Sequence, residues 1–373
     1  MKYKLSEIGK IVGGGTPSSK HEEYYTPNGI PWLTPKDLSN YTNMYISRGA
    51  RNITEEGLKK SSAKLLPAKS ILVSSRAPIG YVAIANNSIS TNQGFKSIVP
   101  NTDIVIPEYL YFVMKKSKAA LEQVSSGSTF KEVSTKVMSN FEVDIPSIEV
   151  QRKILTYLMP ISQKIELNKR INDNLDELST VIFDRWIRNS SSDVKCPLDH
   201  VAKYTNGLAM QKFRPQNNEI GLPVVKIREL NQGDTDENSD YCTSNIDQSV
   251  KVNTGDIIFS WSGTLTLDIW AGGEAGLNQH LFKVTSSKYP YWFVFEWTKY
   301  YLKSFQNIAK SKATTMGHIK RSDLHSSLVK IPTHDEMIEL NTTLSPMYSQ
   351  KIAIRHENRV LYQMKQQLLS KYF

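Results

Sequence analysis

One offset constrains this chain more than any other feature. Adding 186 to a position in the first half finds its counterpart in the second. Ile71-Leu72-Val73-Ser74 becomes Ile257-Ile258-Phe259-Ser260, Asn92-Gln93 becomes Asn278-Gln279, and Ile145-Pro146 becomes Ile331-Pro332. Nearer the domain openings the shift is 193 for Leu198–Met210 on Leu5–Pro17, and 192 for Gly221-Leu222-Pro223 on Gly29-Ile30-Pro31. Self-similarity at one long period marks a tandem duplication, and 373 residues suffice for two domains with their own cores.

Each copy ends in a helix. Ile161–Arg188 contains neither Gly nor Pro and places Ile161, Ile165, Asn168, Asn172, Leu175, Ile182 and Trp186 at alternating steps of three and four. That spacing is the seam of a helix packed on another helix. The partner is the chain's own end, where Met347, Lys351, Ile354, Asn358, Leu361, Leu368 and Tyr372 repeat it. Asn172 and Asn358 are equivalent; they either specify register within the seam or face solvent. Pro160 and Pro346 are expected to break or kink the chain ahead of each long helix, because proline lacks the N–H and clashes with the preceding turn.

The globular parts read as mixed α and β. Leu5, Ile8 and Val12 suggest an amphipathic helix stopped by Gly13-Gly14-Gly15, whose backbone must bend or approach a partner closely. Strands are expected at 29–33, 70–74, 81–85, 95–99 and 141–145, and a helix over 109–122. The polar run 189–193 is a linker. The expected organisation is α+β: similar domains at 1–146 and 191–332, and helical regions at 147–190 and 333–373 that pair antiparallel as an intramolecular coiled coil.

The net charge is +10, with 18 basic against 12 acidic residues in 1–146 and 16 against 14 in 191–332. A basic excess favours a polyanionic partner, although many basic proteins bind no nucleic acid. Cys196 and Cys242 are the only cysteines and read as reduced thiols, not as a zinc site. No apolar run approaches the roughly 20 residues of a membrane span, and the first residues lack a signal-peptide core, so a cytoplasmic protein is expected.

Catalytic signatures are missing. Gly13-Gly14-Gly15 lacks the Gly-Lys-Ser/Thr of a phosphate loop, and there is no His-Glu-x-x-His, Cys-x-x-Cys or Gly-x-Ser-x-Gly. Asp193-Val194-Lys195 resembles the end of a nuclease metal site only superficially. His280 reads as structural or as a contact residue, with no nucleophile placed beside it. The expected catalytic and metal sets are therefore empty.

Polar loops recur at equivalent places and carry residues that grip phosphates or read base edges. In the first domain these candidates are Lys20, Thr34, Lys36, Ser75, Arg76, Asn92, Gln93, Ser128, Thr129 and Lys131. In the second they are Lys212, Lys226, Arg228, Trp261, Ser262, Asn278, Gln279, Thr314, Thr315 and Lys320. Asn-Gln is identical in both copies, which favours a shared structural or phosphate role. Ser75-Arg76 and Trp261-Ser262 differ, as readers of different bases should.

The helix text KIELNKRINDNLDELSTVIFDRW, the openings LSEIGKIVGGGTPS and LDHVAKYTNG, and the segments SILVSSRAPIGYVAI, STNQGFKSI and GSTFKEVS carry a family resemblance along the whole chain. It resembles the specificity subunit of type I restriction–modification systems. The second copy departs from the pattern where Thr-Thr-Met-Gly replaces Ser-Thr-Phe-Lys and Trp261 replaces Ser75. The resemblance implies a non-catalytic chain that binds double-stranded DNA through a bipartite target, each domain reading one half. It further implies docking of two methyltransferase subunits on the helices, and restriction subunits beyond them. S-adenosylmethionine, ATP and Mg2+ would belong to those partners, with no cofactor in this chain. Alternatives are a coiled-coil adaptor and the specificity chain of a fused methyltransferase–nuclease.

A helix of 28 residues, Ile161–Arg188, rises about 40 Å, equivalent to roughly a dozen base pairs. Inserting four residues into both helices is expected to lengthen the recognised spacer and leave both half-sites unchanged. Methylome sequencing that returns an unaltered spacer contradicts a spacing role for the helices.

Overall fold

The computed structural model describes residues 1–39, 41–76, 78–125, 131–216, 218–311 and 317–373. It forms two units, Met1–Glu166 with Met364–Phe373, and Leu167–Gln363.

In the first unit, Lys2–Lys4 pairs antiparallel with Glu142–Asp144, so the domain begins and ends on one two-stranded ribbon. Leu5–Ile8 makes a single helical turn with Leu5 and Ile8 fully buried. The helix expected to continue to Val12 does not. Gly9–Gly13 is a strand, antiparallel to Lys96–Pro100, with Ile11 opposite Ile98. β-Branched Ile11 and Val12 suit that pleated, half-buried surface better than a second helical turn. Gly14 then runs so close to Thr91 and Asn92 that an added Cβ would stand 2.0 Å from the Asn92 carbonyl oxygen.

Two sheets follow. One has five strands in the order Gly9–Gly13, Lys96–Pro100, Ile71–Val73, Val82–Ala85, Tyr45–Ile46. The other has four, Tyr25–Thr26, Arg51–Ile53, Ile30–Leu33 and Ser90–Thr91, with the last two parallel. The central strands Ile71–Val73 and Val82–Ala85 are buried along their whole length, which is why they read as continuous apolar runs. Pro107–Lys116 packs Leu110, Phe112 and Met114 into the same core.

The second unit repeats this plan. Lys195–Pro197 pairs with Leu328–Lys330, and Leu198–Val201 is again one buried turn. Leu222–Val225 runs parallel to Ala275–Leu277, with Val224 opposite Gly276. That register is the counterpart of Trp32 opposite Ser90 in the first unit. Gly207 makes the same close approach as Gly14, here to the carbonyl oxygens of Leu277 and Asn278. The counterpart of the five-stranded sheet has four strands, Lys203–Asn206, Leu281–Thr285, Ile257–Ser260 and Leu267–Ile269.

The long helices run Ile148–Asn189 and His334–Tyr372, and neither proline interrupts them. An internal proline costs about 3 kcal/mol through its missing hydrogen bond and ring clash. Burial on both sides outweighs that: Leu155 and Leu158 precede Pro160 and Ile165 follows it, while Leu344 and Tyr348 flank Pro346. A break would expose those side chains, at about 1.5–3 kcal/mol each.

Within the second unit the two helices pair antiparallel. Asn168 Nδ2 donates to Glu357 Oε2 at 2.7 Å and to Asn358 Oδ1 at 2.9 Å, and Trp186 Nε1 donates to Glu336 Oε2 at 3.3 Å. Asn172 is buried and Asn358, half-buried, accepts from the buried Asn168, so the seam itself is polar. The expected seam positions Leu175 and Ile182 are only half-buried, whereas Ser179 and Phe183 are buried. The face is rotated because a third helix, Tyr291–Ser311, covers it: Phe183 packs edge-on to Trp297, ring centroids 5.1 Å apart.

At that three-helix junction Lys351 is fully buried. Its ammonium bonds Asp176 and lies 4.0 Å from the Tyr348 ring centroid and 5.1 Å from that of Phe295. Tyr348 in turn donates to buried Glu296 at 2.6 Å. Burial pulls the Lys351 pKa down, and Asp176 opposes that pull. In the first unit, Phe373 reaches 4.9 Å from Tyr109, and Lys365 stands 5.5 Å from the Phe112 ring. Burial, with repulsion from Lys115, lowers the Lys365 pKa to about 8.

Two outcomes are expected. Lys351→Ala leaves Asp176 facing a cavity; breaking a buried pair from one side costs about 3–5 kcal/mol, here at the low end because Asp176 stays 34% exposed. Lys351→Met keeps the stem volume and should lose less. Five of the six tryptophans, Trp186, Trp261, Trp270, Trp292 and Trp297, lie in the second unit, so urea unfolding read by tryptophan fluorescence separates the two variants. Acylation of Lys365, followed by peptide mass spectrometry against pH, should show a midpoint near its pKa of about 8. Lys115→Met should raise that midpoint by removing the like charge.

Candidate nucleic-acid interface

In the first domain several expected contact residues serve the fold. Thr34 donates from both N and Oγ1 to Asp37 Oδ2 at 2.7 Å, capping the turn Pro35–Leu38. Ser75 is fully buried and donates to the Gly94 carbonyl at 3.1 Å. Asn92 Oδ1 accepts from Gly94 N at 2.9 Å, closing its own turn. Asn278 Oδ1 accepts from His280 N at 3.3 Å in the same way, so the shared asparagine has a shared structural job. Gln93 is exposed and accepts from the Thr16 hydroxyl. Lys20, Lys36 and Lys131 are exposed. Ser128, Thr129, Thr314 and Thr315 lie outside the described residues.

In the second domain Lys212 and Lys320 are exposed. Lys226 bonds Asp240. Arg228 places its guanidinium on both carboxylate oxygens of Asp236, at 2.8 and 3.0 Å, and on Glu229 at 2.5 Å. Asp236 holds the Arg228 pKa above its ordinary value, and Arg228 holds that of Asp236 well below the usual carboxylate range. The fork that would read a guanine is therefore occupied by the domain's own acids.

Sequence reading placed no nucleophile beside His280, and the structure corrects this. Ser262 Oγ lies 2.9 Å from His280 Nδ1. The other ring nitrogen, Nε2, meets the Gln279 amide at 3.3 Å instead of a carboxylate. Among the described residues no acid orients the imidazole, and Ser262 is buried, so the pair lacks the third member of a hydrolytic triad.

Sequence reading also missed cations. Arg48 and Arg51 line a cleft with Tyr25, Pro27 and Asn52, and the Arg51 guanidinium sits 5.9 Å above the Tyr25 ring. The run Arg48-Gly49-Ala50-Arg51 was the available signal. Arg214 joins Lys212 in a second groove with Gln211, Gln216 and Glu219. Hydrogen bonds from the Ser244 hydroxyl, the Ser244 N–H and the Thr243 hydroxyl bring the Glu219 pKa down to about 2.

The two copies diverge most at one equivalent place. Arg76 bridges to Glu132 in the first domain, and Ser262 bridges to His318 in the second, at the same offset. In the first, Glu132 takes Lys96 at 3.1 Å and Arg76 at 3.8 Å. In the second, Trp261 lies among His280, Phe282 and His318, ring centroids 5.8–6.4 Å away. Among the described residues the buried Trp261 Nε1–H finds no hydrogen-bond partner. One backbone frame thus presents charge in one copy and aromatic and imidazole groups in the other.

Comparison with known proteins explains a frame of this kind. Residues 1–177 match the family model described as the type I restriction modification DNA specificity domain. The chain is 32% identical to the type I restriction enzyme MjaIX specificity subunit of Methanocaldococcus jannaschii, over 99% of this chain and 91% of that one. The chain belongs to the specificity subunits of type I restriction–modification systems. The Escherichia coli EcoR124I/EcoR124II specificity subunit is 30% identical over 41% of this chain and 39% of its own length. The crystal structure of an M. genitalium S subunit shares the fold, with TM-score 0.56 at 14% identity over 100% of this chain and 96% of that one. For this specificity subunit the duplicated α+β domain with its trailing helix is therefore the family fold.

Proposed function

We propose that this specificity subunit binds double-stranded DNA at a bipartite target, with residues 1–146 reading one half and 191–332 the other. The observation that carries the reading is the divergence at one equivalent place: Arg76, Lys96 and Glu132 in one domain, Trp261, Ser262, His280 and His318 in the other. A duplicated reader with two targets conserves its frame and varies its contacts. Lys20, Lys36, Lys131, Lys212 and Lys320, with Arg48, Arg51 and Arg214, suit phosphates. Arg76, Gln93, Trp261 and Gln279 suit base edges, while buried Ser262 holds His280. Ser128, Thr129, Thr314 and Thr315, outside the described residues, are candidates by sequence alone. Thr34, Ser75, Asn92 and Asn278 hold those loops in shape, and Lys226 and Arg228 reach DNA only by leaving their acids.

The helical regions 147–190 and 333–373 would dock two methyltransferase subunits, to which restriction subunits add. S-adenosylmethionine, ATP and Mg2+ would be held by those partners, and this chain would perform no catalysis. A chain that reads DNA in this way would work in the cytoplasm; among the described residues no helix is long and apolar enough to cross a membrane.

The test is selection from random duplexes by the full chain with its methyltransferase partner. Two short conserved blocks separated by a fixed spacer are expected; equal retention of random and selected duplexes contradicts the reading. Arg48→Ala and Arg51→Ala should each flatten the slope of log K against log salt by about 0.9 while leaving the selected sequence unchanged.

A further inference from the structure

Asp199 and His200 stand on the turn Leu198–Val201, and His325 ends the helix Arg321–His325. His325 Nδ1 lies 3.1 and 3.2 Å from the two carboxylate oxygens of Asp199. The His200 and His325 rings meet at 5.5 Å, and one ligating atom from each of the three side chains falls within 4.8 Å of the others. All three side chains are exposed, so an ion reaches them from solvent. Their backbones are fixed: Leu198, Val201 and Leu324 are buried, and Leu198 N donates to the Ser327 carbonyl at 2.8 Å.

We propose that the second domain binds one first-row divalent cation, of the zinc class, through His200, His325 and Asp199. Two imidazoles and a carboxylate are a borderline donor set that favours zinc over magnesium or calcium. Tetrahedral zinc sets its ligand atoms about 3.3–3.5 Å apart. The three ligand atoms lie within 4.8 Å of one another, and reaching that separation would call on rotation of the exposed side chains. The fourth position stays open to water. The first domain has no counterpart: its equivalent residues are Ser6, Glu7 and Ser139, and Ser6 Oγ donates to the Ser139 carbonyl at 2.9 Å. The binding stoichiometry is therefore one ion per chain. The bound ion ties the domain's opening turn to the segment leading into its closing strand, Leu328–Lys330.

The test is titration of the full chain, stripped by chelator, with Co2+ followed by visible absorption, then displacement by Zn2+. One equivalent with the band pattern of nitrogen and oxygen donors is expected, together with a rise in Tm. His200→Ala, His325→Ala and the near-isosteric Asp199→Asn should each weaken binding by roughly tenfold or more, in proteins whose circular dichroism matches the parent. Cys196→Ser should change nothing. Absence of saturable binding, unchanged affinity in both histidine variants, or a thiolate charge-transfer band lost in Cys196→Ser would each overturn the proposal.

Discussion

A buried ammonium organises the second unit. Lys351 has no access to solvent, and three separate elements supply what water would have given it. Asp176 comes from the central helix, the Tyr348 ring from its own helix, and the Phe295 ring from the helix Tyr291–Ser311. A cation in a low-dielectric interior tolerates few arrangements of its partners, since any slip leaves charge uncompensated. Apolar seams slide more readily, because one methylene is much like the next. Asn168, bonded to Glu357 and Asn358, adds a second polar fixture two turns away. The pairing of the long helices is therefore fixed by polar contacts at identifiable places and filled in by aromatics such as Phe183 and Trp186.

The duplication was legible in the sequence, and so was most of what it organises. Strands such as Ile71–Val73 and Ile257–Ser260 announce themselves because they are buried along their whole length and so read as near-continuous apolar runs. What the sequence hid are places where tertiary structure overrides local preference. Gly9–Gly13 extends because Lys96–Pro100 offers it a ladder, and that partner lies far along the chain. Pro160 and Pro346 sit inside helices because buried side chains on either side compensate for the lost hydrogen bond. The seam is rotated toward Ser179 and Phe183 because a helix from the globular domain covers it, which no heptad count can reveal.

The candidate interface was legible in kind but not in assignment. Polar loops recur at equivalent places in the two domains, yet a side chain's type does not say whether it faces outward or inward. Asn92 and Asn278 look like readers of adenine and close turns instead. Arg228 looks like a reader of guanine and grips Asp236. Arg48 and Arg51 passed unnoticed because their pairing in one cleft with Tyr25 requires the sheet that brings Tyr25–Thr26 beside Arg51–Ile53. Divergence between the copies separates the two domains more sharply than residue type does. Ser262 with His318 against Arg76 with Glu132 is a difference visible only once the two domains are laid on one frame.

The ribbons that close each domain have a consequence of another kind. Lys2–Lys4 lies against Glu142–Asp144, and Lys195–Pro197 lies against Leu328–Lys330. The backbone thus enters and leaves each globular body side by side. Everything between those strands can be exchanged for a foreign insert whose own ends match, with no rerouting of the chain around it. The path of the chain outside each body is therefore set by its own ribbon, and a change of length or sequence inside one body need not redirect the chain on either side of it.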